Sequence, residues 1–173
     1  MTPITEQRVG FGLTRVSDYD PIDNSLALGI HGALAGAPDM FAVMRMLHNV
    51  EAGASGDELA VLPRRLVELA TIGGARTAGL SDRIGSIERG KAADLILVNT
   101  DAVNMGPMND DPSALLVYSA SPGNVEAVMV GGRWRKRADA LTELDPHRLA
   151  DAAAASLNAV TGRAQQSRQR PQQ

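Results

Sequence analysis

The side chains in this sequence best suited to metal chemistry are three histidines, His31, His48 and His147. Imidazole holds zinc or iron, and a bound divalent ion lowers the pKa of its water until hydroxide forms near neutrality. The 173 residues contain no cysteine, which excludes disulfides and thiolate ligands and leaves His, Asp and Glu to hold any transition metal. No His-x-His, His-x-x-His or His-Glu-x-x-His spacing occurs, so no short stretch turns two imidazoles toward one ion. His48 stands beside the apolar stripe of a helix and reads as structural or surface. His147 falls in the first turn of another helix, where the dipole disfavours an imidazolium. His31 ends a short apolar run, where a strand would give way to a loop.

The remaining polar candidates have plainer readings. Asp94, between Ala93 and Leu95, is expected to serve turn or backbone hydrogen bonding. Lys91 is expected to be solvated at the start of a strand. Asp110-Asp111-Pro112 looks like capping chemistry before a helical stretch rather than a metal pair. Serine-nucleophile motifs, phosphate loops of the Walker type and dinucleotide-binding glycine patterns are absent.

The elements that would position these residues follow from pattern. Leu26 to Ile30 is short, apolar and followed by Gly32, which predicts a buried strand and then a loop over 32–38. Asp39 is a natural N-cap for a helix in which Met40, Val43, Met44, Leu47 and Glu51 share a face, with Ala52 to Gly56 as a connection. A second helix is predicted over 63–78, opened by Pro63, with Leu62, Leu66, Leu69, Ala70 and Gly73 on one face. The Gly73-Gly74 pair inside it costs about 1 kcal/mol per glycine relative to alanine, so a closely packed neighbour is expected there.

Extended patterns then take over at Ile84–Ile87, Ala93–Val98 and Val125–Val130. Gly131-Gly132 predicts a tight hairpin returning through 133–137, with Trp134 packed on the sheet. A short helical segment should follow Asp111. Asp145-Pro146 should cap a last helix to about Val160, burying Leu149, Ala153, Leu157 and Val160. Residues 161–173 have almost nothing apolar to bury and are expected to form a disordered tail.

Composition sets the outer limits. With 44% hydrophobic and 21% charged residues the chain reads as a globular protein. A net charge of −3 with both signs interspersed gives no footprint for nucleic acid or anionic lipid. No apolar run approaches the roughly 20 residues of a membrane-spanning helix, and no signal peptide is apparent, so the expected address is cytoplasmic.

Leu66-Val-Glu-Leu-Ala-Thr-Ile-Gly-Gly-Ala-Arg-Thr-Ala-Gly-Leu80, followed by Ile84-Gly-Ser-Ile-Glu-Arg-Gly-Lys-Ala-Ala-Asp-Leu-Ile-Leu-Val98, resembles the amidohydrolase superfamily. The resemblance is strongest to the branch of cytosine and guanine deaminases and triazine chlorohydrolases. Asn124 to Trp134 is similar to that family's late hairpin, and Asp39 to Arg45 to the helix after its eighth barrel strand.

The resemblance implies a C-terminal piece of a (β/α)8 metal-dependent hydrolase barrel with part of a composite β-sandwich, an α/β plus β architecture. Residues 1–83 would be the last barrel strand and following helices, 84–144 the C-terminal share of the sandwich, and 145–160 the terminal helix. It also implies zinc or iron as cofactor in a complete site, and a hydrolase acting on non-peptide C–N bonds. Where the family's eighth strand ends in Leu-Gly-x-Asp, this chain has Leu28-Gly-Ile-His31, so His31 stands at the aspartate ligand position. The family's other ligands have no counterpart here. The expectation is therefore a chain that binds no cofactor and is inactive when isolated, and that pairs with a complementing barrel chain or a second copy. The alternative is a non-catalytic assembly or regulatory protein retaining the same fold.

Overall fold

Helix α2, Met40–Ser55, is built as its sequence demands: the Asp39 carboxylate accepts hydrogen bonds from the Phe41 and Ala42 amides at 2.9 and 3.1 Å. Its apolar face supplies Phe41, Val43, Met44 and Leu47 to the core. The helix continues to Ser55 rather than stopping near Glu51, because alanines and serine sustain it and the Ser55 hydroxyl donates back to the Glu51 carbonyl at 2.7 Å. The computed structural model of the chain describes residues 1–19, 26–32, 36–107 and 111–168. Part of the expected loop over 32–38 (residues 33–35), Asp110, and residues 169–173 of the expected tail lie outside these.

Against α2 packs a helix that begins as α3, Pro63–Glu68, widens into a π-helical turn, Leu69–Gly73, and resumes as α4, Gly74–Thr77. Leu66 and Leu69 are fully buried, whereas Leu62, expected on the same face, is exposed. Helix α5, Pro112–Tyr118, closes this layer; its N-cap Asp111 accepts from the Ser113 amide at 2.9 Å. Arg45 ties α2 to α5 by donating to the Val117 and Ala120 carbonyls at 3.0 and 2.7 Å. Val117 and Ala120 are wholly buried, so the core is helical.

A four-stranded antiparallel sheet follows, in the order β1 (Leu95–Val98), β2 (Val125–Val130), β3 (Arg133–Arg137), β4 (Ala140–Leu141). Val130 pairs with Arg133 across the Gly131-Gly132 turn, and both glycines take positive φ, 55° and 77°, as a two-residue hairpin turn requires. Trp134 is half-buried, with the Arg137 guanidinium 5.5 Å from its ring centre. Ile96 and Leu97 are both 53% exposed. Adjacent strand residues point to opposite faces, so apolar surface is left uncovered on both sides of β1.

Several expectations need correction. Ile84–Ile87 forms turns rather than a strand, and Ile87 is 88% exposed; flanking glycines at 85 and 90, both at positive φ, bend the chain before a ladder can form. Leu26–Ile30 is extended but has no strand pairing, and of its residues Leu28 alone is buried. The terminal helix α6 runs Pro146–Arg168, beyond the expected end at Val160. Its apolar stripe is not buried: Leu149, Leu157 and Val160 are 58%, 63% and 51% exposed. Two elements carried no recognised signal, β4 and the N-terminal helix α1, Pro3–Arg8. No helix among the described residues is long and apolar enough to cross a membrane.

Candidate functional site

The segment 26–32 is held from two sides. On one side lies the π turn, where the Leu28 amide donates to the Leu69 carbonyl at 3.2 Å. Widening the helix by one residue opens its hydrogen-bond ladder and lets an outside donor reach in. Gly73 makes the approach possible, because a Cβ built there would lie 2.6 Å from the Leu26 carbonyl oxygen. The close neighbour expected for the glycine pair is thus present at Gly73, while Gly74 faces open space.

On the other side lies the N-terminal arm. The Met1 ammonium donates to the Ala27 carbonyl at 2.9 Å, and the Gly29 amide donates to the Met1 carbonyl at 2.9 Å. Further on, the Thr5 hydroxyl donates to the Ile30 carbonyl at 3.2 Å. These contacts take the place of a strand ladder along the segment. They also fix where the segment ends, at His31.

His31 is exposed and has φ 65°, in the left-handed region that histidine enters only occasionally. Such a conformation costs of order 1 kcal/mol or more and is a pointer to function when it sits at a candidate site. The His31 imidazole is therefore presented to solvent, not folded into the core.

The other two histidines do not join it. His48 is buried on α2, its ring edge-on to Tyr118 at 4.9 Å and its Nδ1 3.4 Å from the Val61 carbonyl. That is a packing role. His147 is exposed at the start of α6, where its backbone amide donates to the Asp145 cap at 2.9 Å. Among the described residues no three His, Asp or Glu side chains come together as a metal site would require. A catalytic ion needs several converging donors, so the described residues do not fit one.

The other polar candidates resolve into structural contacts. Asp94 accepts from the Gly131 amide at 2.6 Å and fastens the β2–β3 turn to β1, the backbone role its sequence predicted. Lys91 is not solvated: its side chain is 11% exposed and its ammonium contacts the Ser86 hydroxyl and the Glu88 carboxylate. Hydrogen bonds from Ser86 and then Lys91 hold the Glu88 carboxyl below its ordinary value. Glu51, counted at sequence level among the face of α2, is 2% exposed and accepts from the Ser17 amide and hydroxyl, both at 3.1 Å.

Glu6 of α1 was not singled out by sequence. Its carboxylate accepts from the Thr2 amide and hydroxyl at 2.7 and 2.9 Å and from the Thr14 hydroxyl. Burial pushes this carboxyl up, but the hydrogen bonds from Thr14 and Thr2 outweigh it and hold the group below its ordinary value. Thr2-Pro3 followed by Glu6 is a helix-start pattern that could have revealed it.

Comparison with known proteins matches this arrangement to one family. The model of the amidohydrolase family matches residues 17–135. A 5-methylthioadenosine/S-adenosylhomocysteine deaminase of Acetivibrio thermocellus is 32% identical over 131 residues, covering 75% of this chain and 30% of that enzyme. An adenosine deaminase of Xanthomonas campestris, solved with bound zinc, superposes with a TM-score of 0.86 at 27% identity, covering 92% of this chain and 36% of the other. An atrazine chlorohydrolase of Arthrobacter aurescens, complexed with zinc, shares the fold with a TM-score of 0.78 at 24% identity. The chain spans about a third of the length of the relatives it matches. Since one family model runs over residues 17–135, through the bulged helix to the hairpin, the chain belongs to the amidohydrolase family, and its relatives there include deaminases and an S-triazine hydrolase of Gordonia rubripertincta, 32% identical over 131 residues.

Proposed function

We propose that this chain is the C-terminal segment of an amidohydrolase that removes an amino or chloro substituent from a flat nitrogen heterocycle, and that it is inactive alone. The observation that carries the reading is the delivery of His31: a segment clamped between α1 and the π turn ends in an exposed histidine with left-handed backbone, and we assign that histidine to the family's eighth-strand ligand position. Its job would be to supply that strand end and the helices behind it, while barrel strands from outside these 173 residues supply the remaining metal ligands.

The uncovered surface supports this. An open apolar groove of about 620 Å³, lined by Met40, Ile84, Leu95 and Val128 among others, lies between the bulged helix and the sheet. A stable partner layer would cover it, since contiguous exposed apolar surface marks an interaction site. Substrate class is carried over from the relatives, whose names specify adenine nucleosides and triazines.

The test is complementation. The chain is co-expressed with the barrel portion of an adenosine-type deaminase relative, the complex is isolated, and ammonia release from adenine nucleosides is measured with zinc or iron added. The reading expects co-purification, turnover in the complex and none from either part alone, with H31A abolishing it. A complex that holds metal and turns over equally well with H31A contradicts the assigned role of His31. Failure to co-purify contradicts the whole reading.

A further inference from the structure

We infer that Thr5 is a positioning residue for His31: its buried hydroxyl pins the peptide that enters a strained turn and so fixes where the histidine is presented. This rests on the role proposed above for His31 and names what holds that residue in place.

One short bond defines the turn. The Gly32 amide donates to the Ile30 carbonyl at 2.8 Å, closing a three-residue turn with His31 at its centre and φ 65°. Three-residue turns with a positive central φ are the rare, strained kind. Such a turn relaxes by rotating the peptide between Ile30 and His31 until φ is negative, where an L-residue is at ease. That rotation swings the Ile30 carbonyl oxygen away. A second donor on the same oxygen therefore resists the relaxation.

The second donor is the Thr5 hydroxyl, 3.2 Å from the Ile30 oxygen, on a residue only 3% exposed. Its direction is unusual. A threonine inside a helix ordinarily returns its hydroxyl to a carbonyl one turn back. Thr71, Thr77 and Thr161 do so, donating to the Val67, Gly73 and Leu157 carbonyls at 2.7, 3.0 and 2.9 Å. Thr5 instead donates out of α1, to a residue 25 positions along the chain. The carbonyl one turn behind it, that of Met1, accepts from the Gly29 amide at 2.9 Å. α1 thus grips the segment at Gly29 by main chain and at Ile30 by a side chain, and the side-chain grip is the one next to His31.

The consequence is energetic coupling between positions 5 and 31. While the Ile30 oxygen is held, His31 stays strained, and when it is released the strain goes. A residue that merely packs α1 on the core has no such link, and its effect on stability adds to that of a change at position 31.

The test uses the full chain, without metal or partner. In its NMR spectrum the Thr5 hydroxyl proton should exchange slowly enough to be seen and should show a cross-relaxation peak to the Gly32 amide proton, since both point at one oxygen. Urea unfolding of T5V, H31G and the double variant then measures the coupling. H31G removes the left-handed penalty, so it should lower the unfolding equilibrium constant about fivefold in the unaltered chain and leave it unchanged in T5V. T5S keeps the hydroxyl and should keep the gain from H31G. A hydroxyl proton that exchanges too fast to be seen, or equal gains from H31G with and without T5V, would each overturn the inference. The hydroxyl measurement needs no variant, so it decides the matter if T5V fails to fold. In the complemented enzyme T5V should lower kcat about tenfold with KM unchanged, and T5S should restore it. A working, His31-dependent complex indifferent to T5V would count against Thr5 alone, and failed complementation with the coupling intact would count against the hydrolase reading alone.

Discussion

Gly73 in the π turn lies so close to the carbonyl of Leu26 that a Cβ at position 73 would stand 2.6 Å from that oxygen. The contact sets how deeply the His31 segment sits against the bulged helix. G73A should therefore be destabilising by about 1–3 kcal/mol, the usual range for overpacking, since backbone and not a flexible side chain must yield. G74A meets nothing within 4 Å at an ordinary helical φ and should stabilise by about 0.5–1 kcal/mol. Urea unfolding of both variants checks the pair, and equal effects would refute the close approach.

Glu51 is buried with the Ser17 amide and hydroxyl as its donors. E51A removes a buried carboxylate that accepts two hydrogen bonds, which should cost about 2 kcal/mol. S17A keeps the amide bond and should cost about 1 kcal/mol or less. Hydrogen exchange reads the effect locally, with Ser17 amide protection lost in E51A and kept in S17A.

Acid should loosen the N-terminal arm through Glu6. Its folded-state carboxyl sits below the ordinary value of 4.5, so the fold binds this proton less tightly than the unfolded chain does. The stabilisation is present above pH 4.5 and is lost as pH falls through the lower folded value. E6Q should flatten the acid limb of the stability profile, with exchange of the Thr2 and Phe11 amides rising first. An acid limb identical in E6Q would show that Glu6 does not contribute.

The stripe on α6 should be silent in the isolated chain. Leu157 is 63% exposed, so L157A should change unfolding free energy by less than about 0.5 kcal/mol. A loss of 2 kcal/mol or more in urea unfolding would mean that the helix docks on the body after all.

How far the sequence reveals this fold depends on whether each signal is local. The Asp39 and Asp111 caps, the Gly131-Gly132 hairpin and the Asp94 backbone bond are satisfied within a few residues or one strand pair, and they are where pattern places them. The strand expected over Leu26–Ile30 and the buried stripe expected on α6 fail for a shared reason: each needs a partner surface that the described residues do not provide. Apolar periodicity states that a face wants cover, not that cover exists. Helix α1 and the Glu6 clasp were missed because a six-residue helix is too short to show periodicity. His31 was legible only through family likeness, since nothing local distinguishes it from a loop histidine, and its left-handed φ became visible only in three dimensions.

The central claim is that one exposed imidazole cannot by itself hold a catalytic ion. The most direct test is native mass spectrometry of the full chain after incubation with zinc and dialysis, with H31A alongside. The predicted result is a metal-free chain in both. One zinc per chain that survives dialysis and disappears in H31A would contradict it.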